Sequence, residues 1–385
     1  MEFNFPTLPS ELIVEILLRV PVKFLLQFRC VSKSWLALIS SPKFVKTHLS
    51  LSVKNKDYPH HRVVLTVRNE SISGESRPVH SDYSLSSLRN DSVIDPFFLD
   101  FPMKKPQQGI SIVGSVNGVI CVAIGDGDLF IWNPSIRKFK NLPDSRLKLE
   151  VSEGYDGIPC GVIYGFGYDK SSDDYKVVGV LCVEKNYDFH HNDVKIYSLK
   201  SDSWRNKDDV PDGVELMEPC EFLDGKLHWV GGFNGGVHHK ERTIISMDLA
   251  DEKCGTLEQP LYTGGNFFAW LQVVGSDLSM SYYYMSSFSP ATPIFCCVFL
   301  SMRSQTDVWV MREYGVKESW TKTYTVKYPD NVSAPFISRK LCMSNKGEML
   351  LLFGSTLMAH NPEDEPIKYP NLQRTKQSKP HKLFC

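Results

Sequence analysis

The sequence predicts an α+β chain in two parts: a small N-terminal unit of three helices, then an all-β, propeller-like repeat domain. Three observations predict it. Apolar residues recur at helical spacing as far as Phe44 and are broken by prolines. Tight-turn dipeptides then precede apolar strands at several places along the chain. Between those turns, a strand, a polar turn and a second short strand recur with a spacing of roughly 50 to 65 residues, close to the period of kelch blades.

The first helix follows Ser10, whose hydroxyl is placed to cap it. Glu11, Glu15 and Arg19 fall at i, i+4 and i+8, so the charges share one narrow stripe. Leu12, Ile13, Val14, Ile16, Leu17, Leu18 and Val20 cover the rest of the circumference. A helix packed on a single core needs only one apolar stripe. Pro21 ends this helix, and Phe24, Leu25 and Phe28 form an amphipathic second one. A third is capped by Ser32, places Trp35, Leu38 and Ile39 together, and stops at Pro42. Three short helices in fewer than roughly 45 residues leave much apolar surface uncovered, and a partner is expected to cover it.

The string LPSELIVEILLRVPVKFLLQFRCVSKSWLALISSPKF, from Leu8 to Phe44, resembles the F-box motif almost throughout. Its Leu-Pro start, the Ile16-Leu17 pair, Pro21-Val22-Lys23, the run from Phe28 to Lys33, Trp35, Pro42 and Phe44 carry the resemblance. The chain departs from the motif at Phe24, where a small polar residue is more usual, and at Gln27, where arginine is common. The resemblance implies docking on the Skp-type adaptor of a cullin–RING ubiquitin ligase. Carried over by position, the contact residues are Leu8, Pro9, Leu12, Ile16, Leu17, Pro21, Val22 and Leu25. Periodicity leaves open which of these face the adaptor and which face the unit's own core; Trp35 is read as core. Lys and Arg outnumber Asp and Glu in this segment, which suits an acidic partner.

Four turns introduce the strands of the second part: Asn117-Gly118 before VICVAI, Asp224-Gly225 before KLHWVGG, Gly275-Ser276 before DLSMSYYYM, and Asn345-Lys346-Gly347 before EMLLLF. Such residues supply the positive φ angles of short hairpins. The paired-strand units are LFIWNPSIRKFKNLP, VKIYSLKSDSWRNKDDVP, TIISMDLADEKCGTLEQP, DVWVMREYGVKESWTK and LMAHNPEDEPIKYP. An earlier unit is expected between Arg62 and Phe98. About four antiparallel strands repeated roughly six times predict a β-propeller, with a two-sheet β-sandwich as the alternative. The double glycine usual in kelch blades stands in comparable position once, at Gly231-Gly232.

NPSIRKFKNLP, GFGYDKSSDDYKVV, VKIYSLKSDSWR, GKLHWVGG and VWVMREYGVKESWTK, in that order, resemble the F-box-associated interaction domain of plant F-box proteins. That resemblance implies recruitment of target proteins for ubiquitylation and proteasomal degradation. The resulting division is residues 4–48 for the F-box, 60–370 for the substrate-recognition domain, and a polar, disordered tail at 371–385. The alternative function is a carbohydrate- or small-ligand-binding propeller coupled to the ligase. The target and the residues that would contact it are not legible.

Composition narrows the field further. A 385-residue chain with 42% hydrophobic residues and a net charge of -1 gives no reason to expect nucleic acid as a partner. The acidic residues among the first twenty do not suit a signal peptide, and the apolar run Ile294–Leu300 is far too short for a bilayer span. A cytoplasmic or nuclear protein without a membrane partner is expected. Ten cysteines without a Cys-x-x-Cys read as buried thiols.

No catalytic, cofactor or metal residue is assigned, and a non-catalytic subunit is expected. The histidine pairs His60-His61, His190-His191 and His238-His239 read as loop residues, since metal binding would need further ligands. Asp173-Asp174 and Asp208-Asp209 read as turn carboxylates. Gly165-Phe166-Gly167 lacks the third glycine of a dinucleotide fingerprint, and neither Walker nor Gly-x-Ser-x-Gly motifs occur. The aromatic runs at Phe267-Phe268-Ala269-Trp270 and Tyr282-Tyr283-Tyr284 read as blade packing in preference to a ligand platform.

Overall fold

The computed structural model describes residues 8–54, 62–70, 76–84, 97–98, 110–125, 127–147, 157–185, 189–207, 214–233, 242–261, 267–285, 302–327, 337–343, 349–353, 356–360 and 378–384. Its N-terminal part has four helices, one more than expected: α1 (Ser10–Leu18), α2 (Val22–Phe28), α3 (Lys33–Ile39) and α4 (Pro42–Lys54). Pro42 opens α4, where a missing N–H costs nothing because the first-turn donors have no intrahelical partner. Ser32 caps α3 by accepting from the Trp35 N–H at 3.1 Å. Ser10 instead lies inside α1, and no side chain caps that helix. The core takes one fully buried residue from each helix, namely Leu17, Leu25, Ile39 and Phe44. Trp35 packs against them and meets Phe28 edge-on at 5.8 Å.

Six antiparallel sheets follow among the described residues. The first contains β1 (Arg62–Glu70), β2 (Ser76–Ser84) and β3 (Phe97–Phe98). The second runs β4 (Ile110–Val116), β5 (Val119–Ile124), β6 (Asp128–Asn133) and β7 (Lys138–Asn141). The third holds β8 (Gly157–Asp169), β9 (Asp174–Lys185), β10 (Phe189–Ser198) and β11 (Ser203–Lys207). The fourth is β12 (Val214–Leu223), β13 (Lys226–Phe233), β14 (Arg242–Asp248) and β15 (Cys254–Leu257). In the fifth are β16 (Phe267–Val274), β17 (Asp277–Met285), β18 (Met302–Met311) and β19 (Trp320–Lys327). The sixth shows β20 (Ile337–Met343), β21 (Met349–Phe353) and β22 (Thr356–His360) among the described residues.

The tail holds the main departure from expectation. Part of the segment read as disordered, Ser378–Phe384, is a strand, β23, on the free edge of β1, with Leu65 opposite Leu383 and Val64 opposite Phe384. An open edge on the first sheet is a pairing template, and a strand from the far end of the chain satisfies it. The lead strands of successive sheets then neighbour one another in the order β4, β8, β12, β16, β20, β23. Radial order of this kind is that of a propeller, whereas a sandwich would stack two sheets.

Sequence chemistry explains the blades. Two-residue turns carry positive φ at Asn117 and Gly118 (55° and 74°) and at Asp224 and Gly225 (42° and 85°), the mirror-image geometry that matches strand twist. β5 is buried along its whole length, so its two faces belong to two different cores. Val119, Cys121 and Ala123 pack with Phe166, Val177 and Tyr197 of the third sheet. Ile120, Val122 and Ile124 pack with Phe130 and Trp132 on the opposite side. Similar cores join the third sheet to the fourth and the fourth to the fifth.

Gly165 and Gly167 let two blades approach closely, which accounts for a glycine pair that carries no nucleotide-binding signature. A Cβ on Gly167 would meet Leu249 Cδ1 at 2.5 Å and Phe222 Cδ2 at 2.6 Å, and one on Gly165 would meet Cys220 Sγ at 2.6 Å. Gly167→Ala is therefore expected to cost about 1–3 kcal/mol in urea unfolding, through overpacking. Gly232→Ala, whose nearest neighbour is Met217 Cε at 4.0 Å, should be close to neutral in the same assay.

Candidate docking surfaces

In α1, Leu12 and Ile16 stand on one face, 46% and 54% exposed, and Leu8 (57%) with Pro9 extends that face ahead of the helix. These four sequence-predicted contact residues share an open apolar stripe, bordered by the exposed charges of Glu11, Glu15 and Arg19. Pro21 and Val22 are half-buried. Leu17 and Leu25 are corrected from contact to core: they are 1% and 4% exposed. Each helical residue turns by about 100°, so Leu17 points inward although its neighbour Ile16 points to solvent.

Apolar residues outside the predicted set also stand open in this module: Phe24, Val31, Leu36, Val45 and Leu51. Phe24 and exposed Gln27 stand one turn apart on α2, at i and i+3, and Val31 lies in the turn after that helix. That spacing was available in the sequence. Electrostatics on this side are one-signed, because no Asp or Glu occurs between Glu15 and Asp57 while Lys23, Arg29, Lys33 and Lys43 are all exposed. Beneath the surface, buried His48 bonds the Val20 carbonyl through Nε2 at 2.9 Å and stacks on Phe44, fastening α4 to the chain after α1.

α4 also reaches the propeller. Lys46 Nζ lies 2.6 Å from Asp173 Oδ2 in the turn between β8 and β9, and the Tyr168 hydroxyl donates to the other oxygen of that carboxylate. The neighbouring acids hold the blades together. Asp169 accepts from the Ser171 N–H at 2.8 Å, from both Ser171 and Ser172 hydroxyls, and from Lys176 at 3.1 Å. Burial opposes its charge, but these donors outweigh burial and hold its carboxyl well below the usual range. Lys176 also binds Glu252 at 3.2 Å and the Leu249 carbonyl, and Arg205 joins Glu252, so the third and fourth sheets share one ion network. Asp174 accepts from the Ser198 hydroxyl and from the Lys200 N–H at 3.0 Å. Asp173 and Asp174 therefore point to separate partners and share no cation.

Indole donors repeat this stapling between sheets. Trp204 Nε1 donates to the Pro143 carbonyl at 2.7 Å, and Trp320 Nε1 donates to that of Glu258 at 2.9 Å. In each case the final strand of one blade grips the segment leaving the blade before it. Tyr282 is fully buried between the fourth and fifth sheets with Ala269, so it is packing and not platform. Burial pushes the Cys121 thiol far up, which leaves it inert. His190-His191 lie in β10; His60-His61, His238-His239 and Asp208-Asp209 fall outside the described residues. Among the described residues no group of three His, Cys, Asp or Glu could hold a metal, and no helix is long and apolar enough to cross a membrane.

Two family models match the chain. Residues 5–47 match the F-box domain, and residues 83–369 match the F-box associated beta propeller domain. The F-box/kelch-repeat protein At3g23880 of Arabidopsis thaliana is 30% identical over 373 residues, spanning 96% of this chain and 91% of the relative. F-box protein CPR1 of the same plant is 30% identical over 364 residues, 90% of this chain and 79% of its own. Among solved structures, YjhT aligns at 11% identity and a TM-score of 0.40, over 76% of this chain and 91% of its own. With both halves matched in order, and a relative that spans nearly all of it, the chain belongs to the F-box proteins that carry an F-box associated beta propeller domain.

Proposed function

We propose that this chain is the substrate-recognition subunit of a Skp–cullin–F-box ubiquitin-protein ligase. Its helical module docks on a Skp-type adaptor, and its propeller holds a target protein for ubiquitylation and proteasomal degradation in the cytoplasm or nucleus. The observation that carries this reading is the open stripe of Leu8, Pro9, Leu12 and Ile16 on a module whose own core is already filled by Leu17, Leu25, Ile39 and Phe44. Apolar surface left over once a core is complete requires a partner. The chain's contribution to the reaction is proximity: it holds target lysines near the charged conjugating enzyme and supplies no reacting group of its own.

The full chain should co-purify with a Skp-type adaptor. Changing Leu8 and Pro9 together to Ala should weaken the complex by about tenfold or more, while circular dichroism of the β-domain stays unchanged. Undiminished adaptor binding after deletion of everything through Phe44 would remove the proposal. Targets are sought by affinity capture under proteasome inhibition, comparing full and F-box-deleted chains. Proteins held by both forms but stabilised in cells only by the deleted form are the substrates.

A further inference from the structure

We infer that Lys46 and Asp173 form an electrostatic latch between the helical module and the third sheet. Its opening frees the module to swing, so the pair sets where a docked adaptor stands relative to the propeller. That consequence rests on the reading that the α1 stripe docks the adaptor. Among the described residues, the 2.6 Å pair of Lys46 Nζ with Asp173 Oδ2 is the one hydrogen bond or ion pair that joins the helices to the sheets. Among the same residues, the core of the module is built wholly from its own helices, and the cores of the sheets take no residue from them.

Each partner is aimed at the other by its surroundings. Lys46 comes two residues after Phe44 and two before His48, about 200° around α4 from either, so the burial of those two turns it outward. His48 ties α4 to the Val20 carbonyl just beyond α1, so the α1 stripe moves with Lys46. On the other side, Asp173 has a φ of 55° in the turn between β8 and β9. One of its carboxylate oxygens takes the Tyr168 hydroxyl, which leaves the other for Lys46. Lys200 fastens the same turn through the Ser172 carbonyl, and Ser198 holds the neighbouring Asp174. Lys46 first, and Tyr168 next, keep the Asp173 carboxyl below the ordinary carboxylate range. Yet the two side chains are 58% and 43% exposed. An ion pair so well hydrated shifts an equilibrium by about fivefold at most, and salt screens it. With no described apolar contact to add to it, latched and released arrangements coexist, and a change at this one pair moves the balance between them.

The test is single-molecule energy transfer between fluorophores attached at exposed Ala37 of α3 and exposed Lys253, in the full chain, free and bound to a purified Skp-type adaptor. The parent chain at low salt should show a dominant distance and a minor second population. Lys46→Gln and Asp173→Asn should each move the balance towards the second by about threefold to fivefold. The two together should do no more than either alone, and Lys46→Arg should keep the parent balance. Asparagine tolerates positive φ, so Asp173→Asn leaves the turn unstrained. Salt at about 1 M should shift the parent towards the variants and leave Lys46→Gln unmoved. Thermal melting should be unchanged, and adaptor affinity should stay within about twofold of the parent. One distance shared by parent and Lys46→Gln at every salt concentration overturns the inference and leaves the ligase reading standing. Additive effects of the two substitutions overturn it as well, because each residue would then act apart from the other. Loss of adaptor binding in Lys46→Gln would assign that lysine to the docking surface and overturn the latch. A parent chain that binds no adaptor removes the ligase reading, while the free chain still decides the latch.

Discussion

Ile16→Asp should abolish adaptor capture, a loss of more than about 100-fold, with no change in the thermal melting of the free chain. Leu17→Ala, one residue further, should do the reverse in kind and lower the stability of the helical module itself by about 2–5 kcal/mol. The contrast follows from burial alone. Ile16 is 54% exposed, so a carboxylate there stays hydrated in the free chain and is stranded only when a partner covers it. Leu17 fills the centre of a four-residue core, where removing three carbons leaves a cavity that four short helices cannot close. Far-ultraviolet circular dichroism of the variants, beside adaptor titration, separates the two effects. Loss of helix in Ile16→Asp would show that the stripe belongs to the fold, and the docking proposal would lose its main support.

Stability should fall as pH drops from about 6.5 to about 4, with a slope approaching about 1.4 kcal/mol per pH unit from a single residue, His228. It is fully buried in β13, with Nε2 2.8 Å from the Tyr314 hydroxyl and Nδ1 3.4 Å from the Glu221 carbonyl. Burial, with some help from the Lys226 charge, lowers its pKa to about 4. A histidine whose native pKa lies below its unfolded value binds its proton first in the unfolded chain. The folded state is therefore undiminished above the unfolded pKa and is penalised progressively below it. Asp169 acts in a lower window: its depressed pKa contributes stability above the ordinary carboxyl range that is lost on further acidification. His228→Asn should flatten the slope between pH 6.5 and 5 in chemical denaturation and leave the more acidic limb in place. An unchanged slope in that variant would mean that His228 is accessible to protons in the native state.

How much of this was legible in the sequence depends on what each residue's neighbours could reveal. Turn dipeptides such as Asn117-Gly118 announced their hairpins because few other residues tolerate positive φ. Ser32 announced α3 because its hydroxyl has a defined partner three residues on. Pro42 misled because a proline both stops a helix and starts one, and only packing of Phe44 and His48 shows which. Ser378–Phe384 was unreadable for another reason: its lysines and proline carry no strand pattern, and its partner β1 lies far away in sequence. Within α1, Leu12, Leu17 and Ile16 look alike as residue types. Core and interface differ only in which side the other helices occupy, information that no local window contains.

The pairing of β1 with β23 sets an order of events during synthesis. The residues that meet in this pairing are roughly three hundred positions apart, so the contact forms last and slowly. Among the described residues the core of the helical module draws on none beyond Phe44, so it can assemble while most of the chain is still to be made. At ordinary elongation rates the interval is roughly 15 to 70 seconds. A nascent or prematurely terminated chain thus presents the helical module attached to a first sheet whose β1 edge is still unpaired. On the proposed function such fragments would occupy ligase arms without delivering a target, so truncations upstream of Ser378 should act as competitors of the intact protein and not merely as losses of it.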